Sequence, residues 1–184
     1  MLTVEHGFNN SAFTARVVAS SGSDVASCVT AAIGAFAGPL HGGAVGRVTS
    51  MLDDIGHADH VELWIRRTLG RGERLMGFGH PVYETVDPRA AVLRGLAVRR
   101  GGPRVELAQT FERTAVRLLD ERGPGRRREA NVDFYAGLVL EMAGVPEDLF
   151  ESTFAVARSI GWTAHVLEQI ADNRIFRPLA RYVG

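Results

Sequence analysis

The stretch PRVELAQTFERTAVRLLDERG, residues 103–123, decides the fold class. Pro103 opens it, at the one helical position where a missing N–H is no loss. Leu107, Phe111, Ala115, Leu118 and Leu119 recur at three- and four-residue intervals and therefore share one face of a helix. Gly123-Pro124-Gly125 breaks it. The same period runs outward in both directions. Upstream, Asp87-Pro88 forms an N-cap with proline at the first helical position, starting a helix that ends at Gly101-Gly102. Before it, a helix spans about 59–69, and Val45, Val48, Met51, Leu52 and Ile55 mark the stripe of another, closed by Gly56. Ser23-Asp24 caps a helix running to Ala37, where Gly38-Pro39 stops it; its many small residues favour close approach of a second helix. Downstream, Asn131 caps a helix over 132–143, and the last long one covers roughly 151–172. No period-two alternation competes with this pattern. The expectation is an all-α protein of about eight helices.

Composition narrows the function. The 184 residues are 46% hydrophobic, enough for a buried core. Twenty-one basic residues, all arginine, balance 21 acidic ones. Zero net charge argues against nucleic acid as a partner, because non-specific binding needs a positive surplus to displace counterions. The longest apolar-leaning stretch, 25–40, is shorter than the ~20 residues a membrane span requires, and no secretory signal opens the chain. One cysteine, Cys28, excludes an intramolecular disulfide and suits a reducing cytoplasm. Zinc is not expected. No histidine pair has the i, i+4 spacing of a helical zinc motif, and His57/His60 lack a third ligand nearby. No glycine-rich segment follows a strand, which excludes dinucleotide and P-loop readings.

Three histidines lie beside glycines, in His6-Gly7, His41-Gly42-Gly43 and Gly79-His80, where a ligand can approach the backbone closely. His41 stands between a helix stop and a new helix near Ala44, and a helix N-terminus disfavours imidazolium. A neutral His41 could donate a hydrogen bond as an electrophile. Asp133, in the first turn after Asn131, is either a general base or a helper of its own helix cap. Arg158 lies in an apolar run, 154–162, so it needs either an anion to bind or a structural partner. Arg126-Arg127-Arg128 is either a solvated loop or a phosphate contact.

Seven segments, taken together, resemble successive citrate synthase signatures in the family's order and spacing. They are Glu5-His6-Gly7-Phe8-Asn9, Gly38-Pro39-Leu40-His41-Gly42-Gly43-Ala44, Gly77-Phe78-Gly79-His80, Asp87-Pro88-Arg89-Ala90 and Asn131-Val132-Asp133-Phe134-Tyr135. Ala157-Arg158-Ser159-Ile160-Gly161-Trp162 with Ala164-His165, and Arg177-Pro178, complete the set. The form is most similar to bacterial citrate and 2-methylcitrate synthases. The resemblance implies condensation of an acyl-CoA with oxaloacetate, the thioester being a substrate and no cofactor being required. It implies that Asp133 removes the α-proton, that neutral His41 stabilises the enol, and that His80 polarises the oxaloacetate ketone. His6, Arg89 and Arg158 would bind oxaloacetate and product carboxylates. Arg177 would serve a neighbouring subunit's site, implying a homodimer.

The resemblance also implies a small helical domain, 44–150, inserted between remnants of a large helical domain, 1–43 and 151–184. The family's long N-terminal helical region precedes the point where this sequence begins. The expectation is therefore a truncated chain or half of a split enzyme, incomplete alone and completed by a partner. Propionyl-CoA as the acyl donor, a citryl-CoA lyase-like activity, and a non-catalytic remnant are the alternatives. Locally, Glu84 stands where the family usually has a basic residue reaching toward CoA phosphates, and Pro81 where related bacterial enzymes often have an arginine, while Arg126 matches the family's other basic CoA contact.

Overall fold

The computed structural model describes residues 1–79, 87–123 and 129–183. His80, Pro81, Glu84 and Arg126 lie outside the described residues. The fold is all-α. Its helices are α1 (Asn10–Ser20), α2 (Val25–Phe36), α3 (Ala44–Ile55), α4 (Val61–Gly70), α5 (Pro88–Arg100), α6 (Pro103–Arg122), α7 (Val132–Met142) and α8 (Phe150–Ala171). Single 3₁₀ turns, Ala58–His60 and Glu147–Leu149, precede α4 and α8. Among the described residues, the one β feature is an isolated antiparallel bridge between Phe78 and Ala130.

The caps work as the sequence suggests. Asp24 accepts a hydrogen bond from the Ser27 N–H, Asp87 from that of Arg89, and Asn131 from that of Asp133. Two differences stand out. The helix expected from about 59 begins instead with the 3₁₀ turn and becomes α-helical at Val61. Helix α1 has no counterpart in the sequence reading. Its buried face is Ser11, Ala12, Ala15, Ala19 and Ser20, while Phe13 and Val17 remain partly exposed. A face of alanine and serine carries no hydrophobic period, so periodicity could not find it.

The chain divides into two compact units, Met1–Gly43 with Glu151–Gly184, and Ala44–Phe150. In the first, α1 packs on α2 through small side chains: Ala15, Ala19, Cys28 and Ala32 are all fully buried. Helix α8 buries Phe154, Arg158, Trp162 and Val166 on one side. It leaves Val156, Ile160 and Leu167 more than half exposed.

The second unit is built around aromatic rings. Phe111 of α6 stacks on Phe134 of α7 at 5.7 Å, and Phe78 packs against both, at 5.7 and 5.1 Å. Trp64 of α4 meets Phe111 edge-on at 6.0 Å. Helix α7 also packs against α3 and α5. Truncating one of these buried rings to alanine costs about 3–5 kcal/mol. This aromatic core holds the start of α7, which carries Asp133. Among the described residues no helix is long and apolar enough to cross a membrane.

Candidate active site

In the first unit, His41 sits in the turn that ends α2. Its backbone N–H donates to Gly38 O at 2.9 Å, and Gly42 N–H donates to Phe36 O at 2.8 Å. These bonds fix the ring against Phe36, edge-on at 5.0 Å. Phe36 in turn meets Trp162 at 5.7 Å, and the Arg158 guanidinium lies 5.8 Å from its centre. Nε2 of His41 is 2.8 Å from Ser11 Oγ, which accepts a hydrogen bond from Trp162 Nε1 at 3.0 Å. Ser11 Oγ is also 2.8 Å from Asn9 Oδ1, the cap of α1.

Burial holds the His41 imidazolium below its ordinary value, and the positive charge of Arg158 lowers it further. Both effects favour the neutral ring. The causes are desolvation and a nearby cation, where the sequence pointed to a helix N-terminus.

Arg158 is 2% exposed. Its Nε donates to Thr3 O at 2.9 Å, and its Nη2 lies 2.5 Å from Nδ1 of His6. His6 Nε2 is 2.9 Å from Leu2 O. The sequence left Arg158 between an anion site and a structural role; the structure joins it to His6 and to the N-terminal backbone. Arg177 lies exposed in the irregular segment after α8.

In the second unit, Asp133 follows the Asn131 cap in the first turn of α7. The loop 77–79 is laced to the residues before that turn. Asn131 N–H donates to Gly77 O at 2.8 Å, Gly79 N–H to Glu129 O at 3.0 Å, and Asn131 Nδ2 to Gly79 O at 2.9 Å. Gly77, at φ +78°, runs so close to α7 that a Cβ there would stand 2.8 Å from Cβ of Phe134. The glycine-rich loop and the helix carrying Asp133 are thus one assembly.

Arg89 is paired with Asp87. Its Nε and Nη2 reach the two carboxylate oxygens at 2.9 and 2.8 Å. Asp87, 2% exposed, also accepts from Val132 N–H at 3.0 Å, tying α5 to the first turn of α7. Burial pushes the Asp87 carboxyl up, but the hydrogen bonds and charge of Arg89 outweigh it, leaving the group below the ordinary carboxylate range. The sequence found Asp87 as a cap and missed this bridge. It also missed Ser11 and Phe36, the neighbours that hold His41. Among the described residues, no three His, Cys, Asp or Glu side chains converge into a set able to hold a metal.

The first unit therefore holds a half-buried imidazole and a His–Arg pair. The other unit supplies a helix-N-terminal carboxylate and an arginine held by an aspartate. Known proteins share this sequence and fold. A family model described as "Citrate synthase, C-terminal domain" matches residues 1–179. Citrate synthase 2 of Bacillus subtilis (strain 168) is 44% identical over 184 residues, which cover 100% of this chain and 49% of the relative. The crystal structure of citrate synthase from Thermotoga maritima MSB8 superposes with TM-score 0.89 at 39% identity, over 100% of this chain and 50% of that one. A citrate synthase from the thermophilic archaeon Thermoplasma acidophilum, solved as a ternary complex with carboxymethyl coenzyme A and oxaloacetate, gives TM-score 0.90 at 34% identity. That match covers 100% of this chain and 50% of the other. The chain spans about half the length of the curated relatives it matches.

Proposed function

Because this chain belongs to the citrate synthase family, spanning its C-terminal domain, we propose that it contributes the reacting groups for condensing acetyl-CoA with oxaloacetate to citrate and CoA. The observation that carries this reading is His41, half-buried, with its pKa held down and one ring nitrogen against Ser11. Abstraction of an α-proton from a thioester needs a base on one side and a hydrogen-bond donor at the carbonyl oxygen, where charge develops.

In this reading the Asp133 carboxylate takes a proton from the acetyl methyl group, and His41 donates a hydrogen bond to the thioester oxygen. The resulting enol carbon attacks the ketone carbon of oxaloacetate, His80 donating to the ketone oxygen. Water then cleaves the thioester, releasing citrate and the CoA thiol. His6, Arg89 and Arg158 bind the carboxylates of oxaloacetate and product, and Arg126 contacts CoA. No metal or cofactor enters this scheme.

The tautomer of His41 follows from its neighbours. Ser11 Oγ accepts from Trp162 and donates its single proton to Asn9 Oδ1, and in the reacting state that proton turns to His41 Nε2. Only when it goes to His41 does the ring carry its own proton on Nδ1, ready to meet the substrate oxygen. Ser11 is then what makes His41 a donor.

The exposed apolar residues Val156, Ile160 and Leu167 on α8, and Arg177 in an exposed terminal segment, support a partner. That partner is a second copy or the N-terminal half found in full-length relatives. Residues 1–43 and 151–184 are its share of the large domain, and 44–150 the small domain. A thiol-release assay with acetyl-CoA, propionyl-CoA and oxaloacetate tests the reading and separates the two acyl donors. Release without oxaloacetate, or none with either donor in the completed enzyme, would overturn it.

A further inference from the structure

We propose that α8 carries a seam, Arg158, Gly161 and His165, that positions His6, and that Gly161 is the residue on which the seam depends. The proposal rests on the reading that His6 and Arg158 hold oxaloacetate. Positions i, i+3 and i+7 share one helix face. The segment before α1 lies along this face. Arg158 holds Thr3 O through Nε and His6 through Nη2. His165 holds Glu5, with Nε2 at 3.2 Å from its carboxylate. Between them, at Gly161, the backbone of the segment touches the helix. A Cβ at residue 161 would overlap the carbonyl oxygen of Val4 and stand 2.7 Å from a Glu5 carboxylate oxygen. A carbonyl in the chain cannot yield as a side-chain tip can, so only glycine admits this crossing.

The hydrogen bonds at both ends fix proton positions. Leu2 O only accepts, so His6 carries its proton on Nε2; the guanidinium only donates, so Nδ1 offers a lone pair to Arg158. At His165, Arg16 Nε donates to Nδ1 at 2.9 Å, which leaves Nε2–H to face Glu5. The seam thus sets the tautomer and the orientation of His6, one turn of helix away from the glycine that lets the segment dock.

Sequence position alone argues the opposite sign. Alanine is a better helix former than glycine, so Gly161→Ala would strengthen an isolated helix. Gly34 of α2, where an added Cβ would meet nothing within 4 Å, provides the control. The test is ¹⁵N NMR of the imidazole nitrogens in the full chain, with His6 assigned through His6→Gln, beside an oxaloacetate titration. The expected wild-type pattern is a single His6 tautomer protonated on Nε2. In Gly161→Ala it collapses to the tautomer average of an exposed histidine, helix content is kept, and the oxaloacetate dissociation constant rises at least tenfold. Gly34→Ala changes neither. His165→Ala adds no bulk and shifts the same signals in the same direction, which keeps the test open should Gly161→Ala fold poorly. An unchanged His6 tautomer in both seam variants overturns the proposal. If the tautomer responds as expected but the wild-type chain, completed by its partner, binds no oxaloacetate, the seam stands and the substrate reading falls.

Discussion

Ser11 and His41, thirty residues apart in sequence, meet at 2.8 Å between Oγ and Nε2. The contact joins the first turn of α1 to the turn that ends α2, and Trp162 of α8 closes it from the other side. Ser11→Ala removes the hydroxyl that holds this ring nitrogen. Turnover in the completed enzyme should fall by up to about tenfold, the worth of one hydrogen bond. Stability should fall by about 1–3 kcal/mol, since Trp162 Nε1 is left buried without its acceptor. Steady-state kinetics and urea unfolding check the two effects separately, and Ser11→Thr should restore both in part.

The depressed titration of His41 predicts a pH dependence of stability. Its folded value lies below its ordinary 6.5, so the unfolded chain takes up the proton first. Stability should therefore rise with pH between the folded value and 6.5, with no contribution above that window and the full penalty below it. Urea titrations at about pH 7.5 and about pH 5.5 should show a larger loss for the wild type than for His41→Gln. Equal losses would place the imidazole in contact with solvent.

Asp87 should behave with the opposite sign. Its carboxyl titrates below the ordinary 3.8, so its contribution is complete above that value and disappears as pH falls through the folded one. Asp87→Ala takes the carboxylate away from Arg89 and the acceptor away from the Val132 N–H, and should cost about 3–5 kcal/mol. Calorimetric unfolding near neutral pH measures this. A change below about 1 kcal/mol, the level of a surface pair, would deny the bridge between α5 and α7.

How far these groups are legible in the sequence varies with their physics. Asp24, Asp87 and Asn131 announce themselves as caps because capping is a local event, written in adjacent residues. Arg158 announces itself as a cation in an apolar run, and it is 2% exposed. Helix α1 does not, because Ala12, Ala15 and Ala19 bury a face with no hydrophobic period. Ser11 and Phe36 are equally silent. Their importance comes from meeting His41 across a fold, and nothing in their own neighbourhoods signals that meeting. Gly161 reads as one more small residue in a helix, and only the Val4 carbonyl lying against it gives it a role.

Arg158→Leu should weaken oxaloacetate binding by about 2–5 kcal/mol, the range for truncating one member of a buried hydrogen-bonded pair. Isothermal titration checks it, with thermal unfolding as the companion. Unchanged affinity with lowered stability would assign Arg158 to holding the N-terminal segment alone.

The most direct test of the account is thiol release from acetyl-CoA, with and without oxaloacetate, by the chain completed with the N-terminal half of a relative, beside the same enzyme carrying Asp133→Asn. The account predicts release that depends on oxaloacetate and falls by about 10²–10⁴-fold in the variant, the usual weight of a general base. Near-normal turnover in Asp133→Asn would contradict it.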